Sequence, residues 1–137
     1  MIKKVISLLI IVLSASYSFS QQTYQLGIEI IGLRSNNGMI MLQLADQFGN
    51  LVNEKMVPII QKTCVILITG IKPGKYALKY FHDENRDGHI DTNMIGIPAE
   101  GYGYSNNVIG KYGEPPFKDR IFDLTKDTKL VLEPYYR

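Results

Sequence analysis

Hydrophobic residues recur at every second position through most of this chain. In TYQLGIEIIGL, Tyr24, Leu26, Ile28 and Ile30 fall on one side of an extended backbone, with Gln25 and Glu29 on the other. Period two lets a strand bury one face and wet the other, so the stretch predicts a half-buried strand. RSNNG, Arg34 to Gly38, supplies the asparagine and glycine of a turn. MIMLQLAD follows with Ile40, Leu42 and Leu44 on one face, and Gln47 to Asn50 reads as the next turn. Pro58 removes a ladder donor from LVNEKMVPII, which assigns that segment to a sheet edge or a connector. KTCVILIT, Lys62 to Thr69, is a continuous β-branched run and predicts a central strand. Pro73-Gly74 suits a tight turn into KYALKYF, Lys75 to Phe81. RIFDL and TKLVLE then predict two short strands around the turn TKD.

No window sustains a helical period. The expected architecture is all-β, about seven strands in a two-sheet β-sandwich. One stretch resists it. Residues 82–119 are rich in Gly, Asn, Asp and Pro and poor in aliphatics. Connections beyond about 12–15 residues are uncommon in compact domains, so this loop is expected to be either mobile or ordered by something other than an aliphatic core.

The first 20 residues change the boundaries and the charge. Lys3 and Lys4, the apolar run Val5 to Leu13 and Ser18-Phe19-Ser20 read as a secretory signal peptide. The apolar run is shorter than the roughly 20 residues of a membrane span, so a cleaved leader and a single domain over residues 21–137 are expected. The location expected is exported, periplasmic or extracellular, with no membrane insertion after signal cleavage. The 15 basic and 13 acidic residues come to an even balance once Lys3 and Lys4 leave. No basic stripe remains to attract nucleic acid. Cys64 is the only cysteine; it excludes an intramolecular disulfide and reads as a small buried hydrophobe.

The long loop opens with HDENRDGHIDTN, and here the chemistry concentrates. Asp83, Asn85, Asp87 and Asp91 alternate with other residues, and Gly88 stands where such a chain must bend. Counted from Asp83, they occupy positions one, three, five and nine of a calcium loop of the EF-hand kind, with Gly88 at six and the His89 carbonyl at seven. Calcium takes six to eight oxygens at about 2.3–2.6 Å, and alternation lets successive oxygens converge while Glu84 and Arg86 face solvent. Met94 stands at position twelve, where a bidentate Glu belongs, so Asn93, Glu100 or water is left to complete the shell. The competing reading is a set of Asx turns, Asp and Asn capping their own backbone. Zinc is disfavoured: His82 and His89 are the only histidines, and no soft quartet exists.

The run from Gly74 to Asn107 carries a long motif block: Pro73 to Tyr76, His82 to Asn85, Asp87 to Asp91, Gly96 to Gly103 and Ser105 to Asn107. Followed by KYGEPPFKDRIFDL, it closely resembles the signature of a secreted bacterial family catalogued as domain of unknown function (DUF) 2141. The resemblance implies a sandwich similar to transthyretin-like and immunoglobulin-like modules, and it implies no activity.

Tyr102 and Tyr104, with Tyr112 and Phe117, could form a stacking platform for a sugar or peptide; the favoured reading has them fold back as the loop's own core. Ser105-Asn106-Asn107 reads as turn and capping residues. The closing Tyr136-Arg137 invites comparison with hydroxyisourate hydrolase, but the Gly-Ser of that signature is missing. No Gly-x-Ser-x-Gly elbow surrounds Ser105 and no phosphate-loop Lys follows the glycines. The expectation is a non-enzymatic binding or structural module with a calcium-stabilised loop, meeting a protein or glycan of the cell envelope. The alternative is a hydrolase acting on an envelope glycan through loop carboxylates such as Asp83 and Glu100.

Overall fold

Eight strands account for the alternating stretches: β1 (Tyr24–Ile30), β2 (Met39–Asp46), β3 (Leu51–Pro58), β4 (Cys64–Ile71), β5 (Gly74–Asp83), β6 (Tyr102–Tyr104), β7 (Ile121–Leu124) and β8 (Thr128–Leu132). The computed structural model describes residues 20–137, so the leader read in the sequence lies, apart from Ser20, outside the described residues. Among the described residues the one α-helix, α1 (Phe117–Arg120), is a single turn. Among the described residues no helix is long and apolar enough to cross a membrane.

The strands form two sheets. One has the order β4-β1-β8, with β1 and β8 parallel. The other has the order β3-β2-β5-β6, and β7 also pairs with β5. β7 lies along Gly74–Ala77 and β6 along Lys79–Phe81, so the two short strands follow one another down the edge of β5 that β2 leaves free. The alternating residues of the sequence face each other across the gap between sheets. Leu26, Ile28 and Ile30 of β1 and Cys64, Ile66 and Ile68 of β4 meet Ile40, Leu42 and Leu44 of β2 and Leu78 of β5, all buried. Each such aliphatic contributes about 1.5–3 kcal/mol by leaving water, which makes this the main source of stability.

Two expectations are corrected, and the expected count of about seven strands is made exact. The apolar run Lys62 to Thr69 is not a central strand: β4 is the edge of its sheet, and Val65 and Leu67 are 71% and 57% exposed. Apolar residues on its solvent face hid the alternation. Among the described residues the strands number eight because β6 forms inside the long loop, where glycine and tyrosine carry no aliphatic signature. β5 also runs on to Asp83, taking the first two residues of that loop into the sheet. The proline-bearing β3 is the expected edge. Cys64 is buried, and burial pushes its thiol up to about 11, as an inert hydrophobe requires.

Gly38 sets the approach of the β1–β2 connection to the end of β5. Its φ is 75°, and a β-carbon there would run into the Asp83 carbonyl. The turn residue is thus also a packing residue.

Candidate functional site

Strand β5 delivers His82 and Asp83, both buried, to the rim of the sandwich. From there the loop is organised by side chains that accept backbone N–H groups. Asp83 Oδ1 accepts from the Asp87 N–H at 3.1 Å and Oδ2 from the Gly88 N–H at 2.9 Å. Gly88 takes φ 80°, which turns its N–H back toward Asp83. Asp87 Oδ1 accepts from the His89 N–H at 2.9 Å, while Asn85 Oδ1 accepts from the Asp87 N–H at 3.2 Å. The His89 N–H first, and the Asn85 amide after it, hold the Asp87 carboxyl below the ordinary aspartate range.

At the mouth of this turn the Asn85 amide nitrogen lies between two carboxylates. It donates to Asp87 Oδ2 at 3.1 Å and to Asp91 Oδ2 at 2.8 Å. Asp83, Asn85, Asp87 and Asp91 are therefore brought together, linked in one hydrogen-bonded chain. Among the described residues, no group of three or more His, Cys, Asp or Glu side chains stands in position to hold a metal ion. The donor set of a calcium loop is broader than that, since it includes the Asn85 amide oxygen and the His89 carbonyl. Rotating the Asn85 amide by half a turn would put its oxygen beside those of Asp87 and Asp91, and each carboxylate keeps lone pairs beyond those its N–H partners use.

Glu100 has a different place. It is 3% exposed; its Oε1 accepts from the Glu84 N–H at 2.7 Å and its Oε2 from the Asp91 N–H at 3.0 Å. One carboxylate thus clips together the two ends of the acidic turn. Asp83 and Glu100, the pair considered for acid and base work on a glycan, are both buried, and every carboxylate oxygen of the two accepts a backbone N–H.

A second polar cluster, which sequence reasoning missed, locks the loop to the rest of the molecule. Arg34 donates to Glu84 through Nε at 2.6 Å and Nη2 at 2.7 Å, and to the Ala99 carbonyl at 3.1 Å. Glu84 therefore does not simply face solvent; the Arg34 fork holds its carboxyl below the ordinary glutamate range. The guanidinium also lies 4.8 Å from the centre of the Tyr136 ring. His82 Nε2 is 2.6 Å from the Asn37 carbonyl, which can only accept, so Nε2 carries a hydrogen, and Nδ1 lies 2.8 Å from the Tyr136 hydroxyl and 3.4 Å from Glu84 Oε1. That hydroxyl accepts in turn from the Arg34 N–H at 3.2 Å. No spacing rule joins Arg34, Glu84 and Tyr136; only the fold does.

Ser105, Asn106 and Asn107 act at longer range than turn capping. Ser105 Oγ accepts from the Leu78 N–H at 3.0 Å and donates to the Arg120 carbonyl. Asn106 donates to the Asp119 and Ile121 carbonyls, both at 3.0 Å. Asn107 bonds to Val131 and Glu133, reaching β8 and its exit. Three consecutive side chains thereby tie β5, α1, β7 and β8. Of the rings, Tyr102 is buried and packs edge-to-face against Tyr104 and Tyr135, with centroids 6.1 and 5.9 Å apart, whereas Tyr112 is 91% exposed.

Fold and site together define a two-sheet β-sandwich whose long loop is ordered by buried polar residues. The family model described as "Uncharacterized protein conserved in bacteria (DUF2141)" matches residues 28–131, from the middle of β1 almost to the end of β8, and the chain belongs to that family. No curated protein and no solved structure matches it.

Proposed function

We propose that the chain is an exported, non-enzymatic sandwich module whose loop 83–91 is clamped by a calcium ion and whose ring-bearing face meets a protein or glycan of the cell envelope. Export rests on the leader-like first 20 residues. The single observation behind the calcium reading is the Asn85 amide drawn between Asp87 and Asp91, with Asp83 below them. Two carboxylates so close repel, by about 4 kcal/mol at 4 Å near a protein surface. An amide offsets part of that; a divalent ion offsets far more. A site lacking the bidentate ligand of position twelve belongs in the weak range of about 10⁻⁴–10⁻³ M that extracellular modules use.

Thermal melting over a calcium titration tests the reading. At 100 times the dissociation constant, binding adds about 2.7 kcal/mol to stability, so the midpoint should climb by several degrees. Asp87→Asn should blunt the climb. Identical melting curves in chelator and in excess calcium would end the calcium reading.

A further inference from the structure

The outer face of the five-stranded sheet carries a trough made of three adjoining cavities of about 320, 290 and 420 Å³. The first two share Gln43, Lys79 and Glu114, and the last two share Tyr102, Tyr104 and Glu114, so the three lie side by side. Gln43 and Lys79 face each other directly across β2 and β5 at its floor.

At one end stands Arg120. The residue is only 8% exposed, yet it lines the trough. Its guanidinium carbon lies 5.2 Å from the Tyr104 ring centre and 5.1 Å from that of Phe117. Ser105 and Asn106 pin the backbone on both sides of it. A guanidinium offers five N–H donors. Nη1 donates to Glu114 Oε1 at 2.5 Å, while Nε is buried with no acceptor. Glu114 itself is half-exposed, so it can yield its place. Because Nε is enclosed, a carboxylate in the trough would meet the outer Nη edge, taking Glu114's place on a guanidinium held rigid between two rings.

We propose that this trough binds a carboxylate-bearing glycan, with a hexuronate carboxylate on Arg120 and Lys79 and sugar rings lying over Tyr104 and its neighbours. The inference rests on the reading of the ring-bearing face as a binding surface. Cations outnumber acids along the trough: Lys79, Arg120, Lys111 and Arg137 against Glu54 and Glu114. Tyr112 offers a ring 91% exposed, and Gln43 and Glu54 offer partners for hydroxyls. A peptide is less well served, because the floor of the trough is β2 and β5, whose backbones already pair with neighbours on both sides and leave no ladder to extend there.

The test is calorimetric titration of the full chain with a glucuronate-bearing tetrasaccharide, its carboxyl-reduced neutral counterpart and tetraglutamate. The acidic sugar should bind at least about tenfold more tightly than either of the others. Arg120→Lys, which keeps the charge and loses the fork, should weaken it by about tenfold. Lys79 is exposed, so Lys79→Gln should weaken binding by about threefold and leave melting unchanged, which carries the test if Arg120→Lys fails to fold. Equal binding of the neutral sugar overturns the carboxylate assignment while leaving the surface reading standing. Equal binding of tetraglutamate overturns the glycan. Parent-like affinity in the folded variants overturns the site, and no binding of any probe removes both inference and surface.

Discussion

Glu100 carries one of the clearest residue-level consequences. Replacing it with alanine leaves the part-buried Glu84 and Asp91 N–H groups without their acceptor, each costing up to about 1–3 kcal/mol. Urea unfolding of Glu100→Ala should show a loss in that range. Hydrogen exchange should quicken at those two amides first. Asp46 gives the acid response. It accepts from Phe48 and twice from Asn50 at 2.9–3.0 Å, and the Asn50 amide foremost holds its carboxyl below the ordinary aspartate range. A carboxyl depressed in the folded state adds stability above its unfolded value near pH 4, and that stability is lost as pH falls through the folded value. The stability gap between the parent and Asp46→Asn should therefore shrink from pH 6 to about pH 2, as read from urea midpoints.

Among the elements, β4 separates what its two faces do. Ile66 is 3% exposed and Leu67 57%, although they are neighbours in one apolar run. Ile66→Ala should cost about 2–5 kcal/mol and Leu67→Thr no more than about 0.5 kcal/mol, both measurable by denaturant unfolding. The β1–β2 connection offers a matched pair of glycines. Gly32 has φ 72° and open space around its hydrogen, whereas Gly38 has φ 75° and faces the Asp83 carbonyl. Gly32→Ala should lose about 1–2 kcal/mol to left-handed strain alone. Gly38→Ala should lose clearly more, because the end of β5 must move as well; thermal melting of the two variants decides it.

For the whole molecule, the chain's last residues matter to a loop more than 30 positions away. Tyr136 touches Arg34 and His82, its ring fills the space over Gly101, and Tyr135 exchanges backbone hydrogen bonds with Tyr102. Removing Tyr135 to Arg137 should leave the two sheets folded, since neither sheet contains them. It should also open residues 84–101 to protease, and limited proteolysis with mapping of the first cut reads this directly. An unchanged cleavage pattern would mean that Glu100 and the acidic turn order the loop without help from the terminus.

Alternation by itself determined β1, β2 and most of β5, their buried faces and the two-layer class, because a period of two leaves one way to keep Leu26, Ile28, Ile40 and Leu42 out of water. The acidic spacing was equally legible, since Asp83, Asn85, Asp87 and Gly88 lie within six residues and act on their own backbone. Only the tertiary structure decided the rest. It put β4 at an edge, although an apolar solvent face reads like a buried one. It gave Glu84 to Arg34, Glu100 to the two ends of the turn and Ser105 to Arg120, pairs separated by 50, 16 and 9, and 15 positions. Such pairs leave no periodic trace: a polar residue that a distant backbone group satisfies looks, in a sequence, like one that water satisfies.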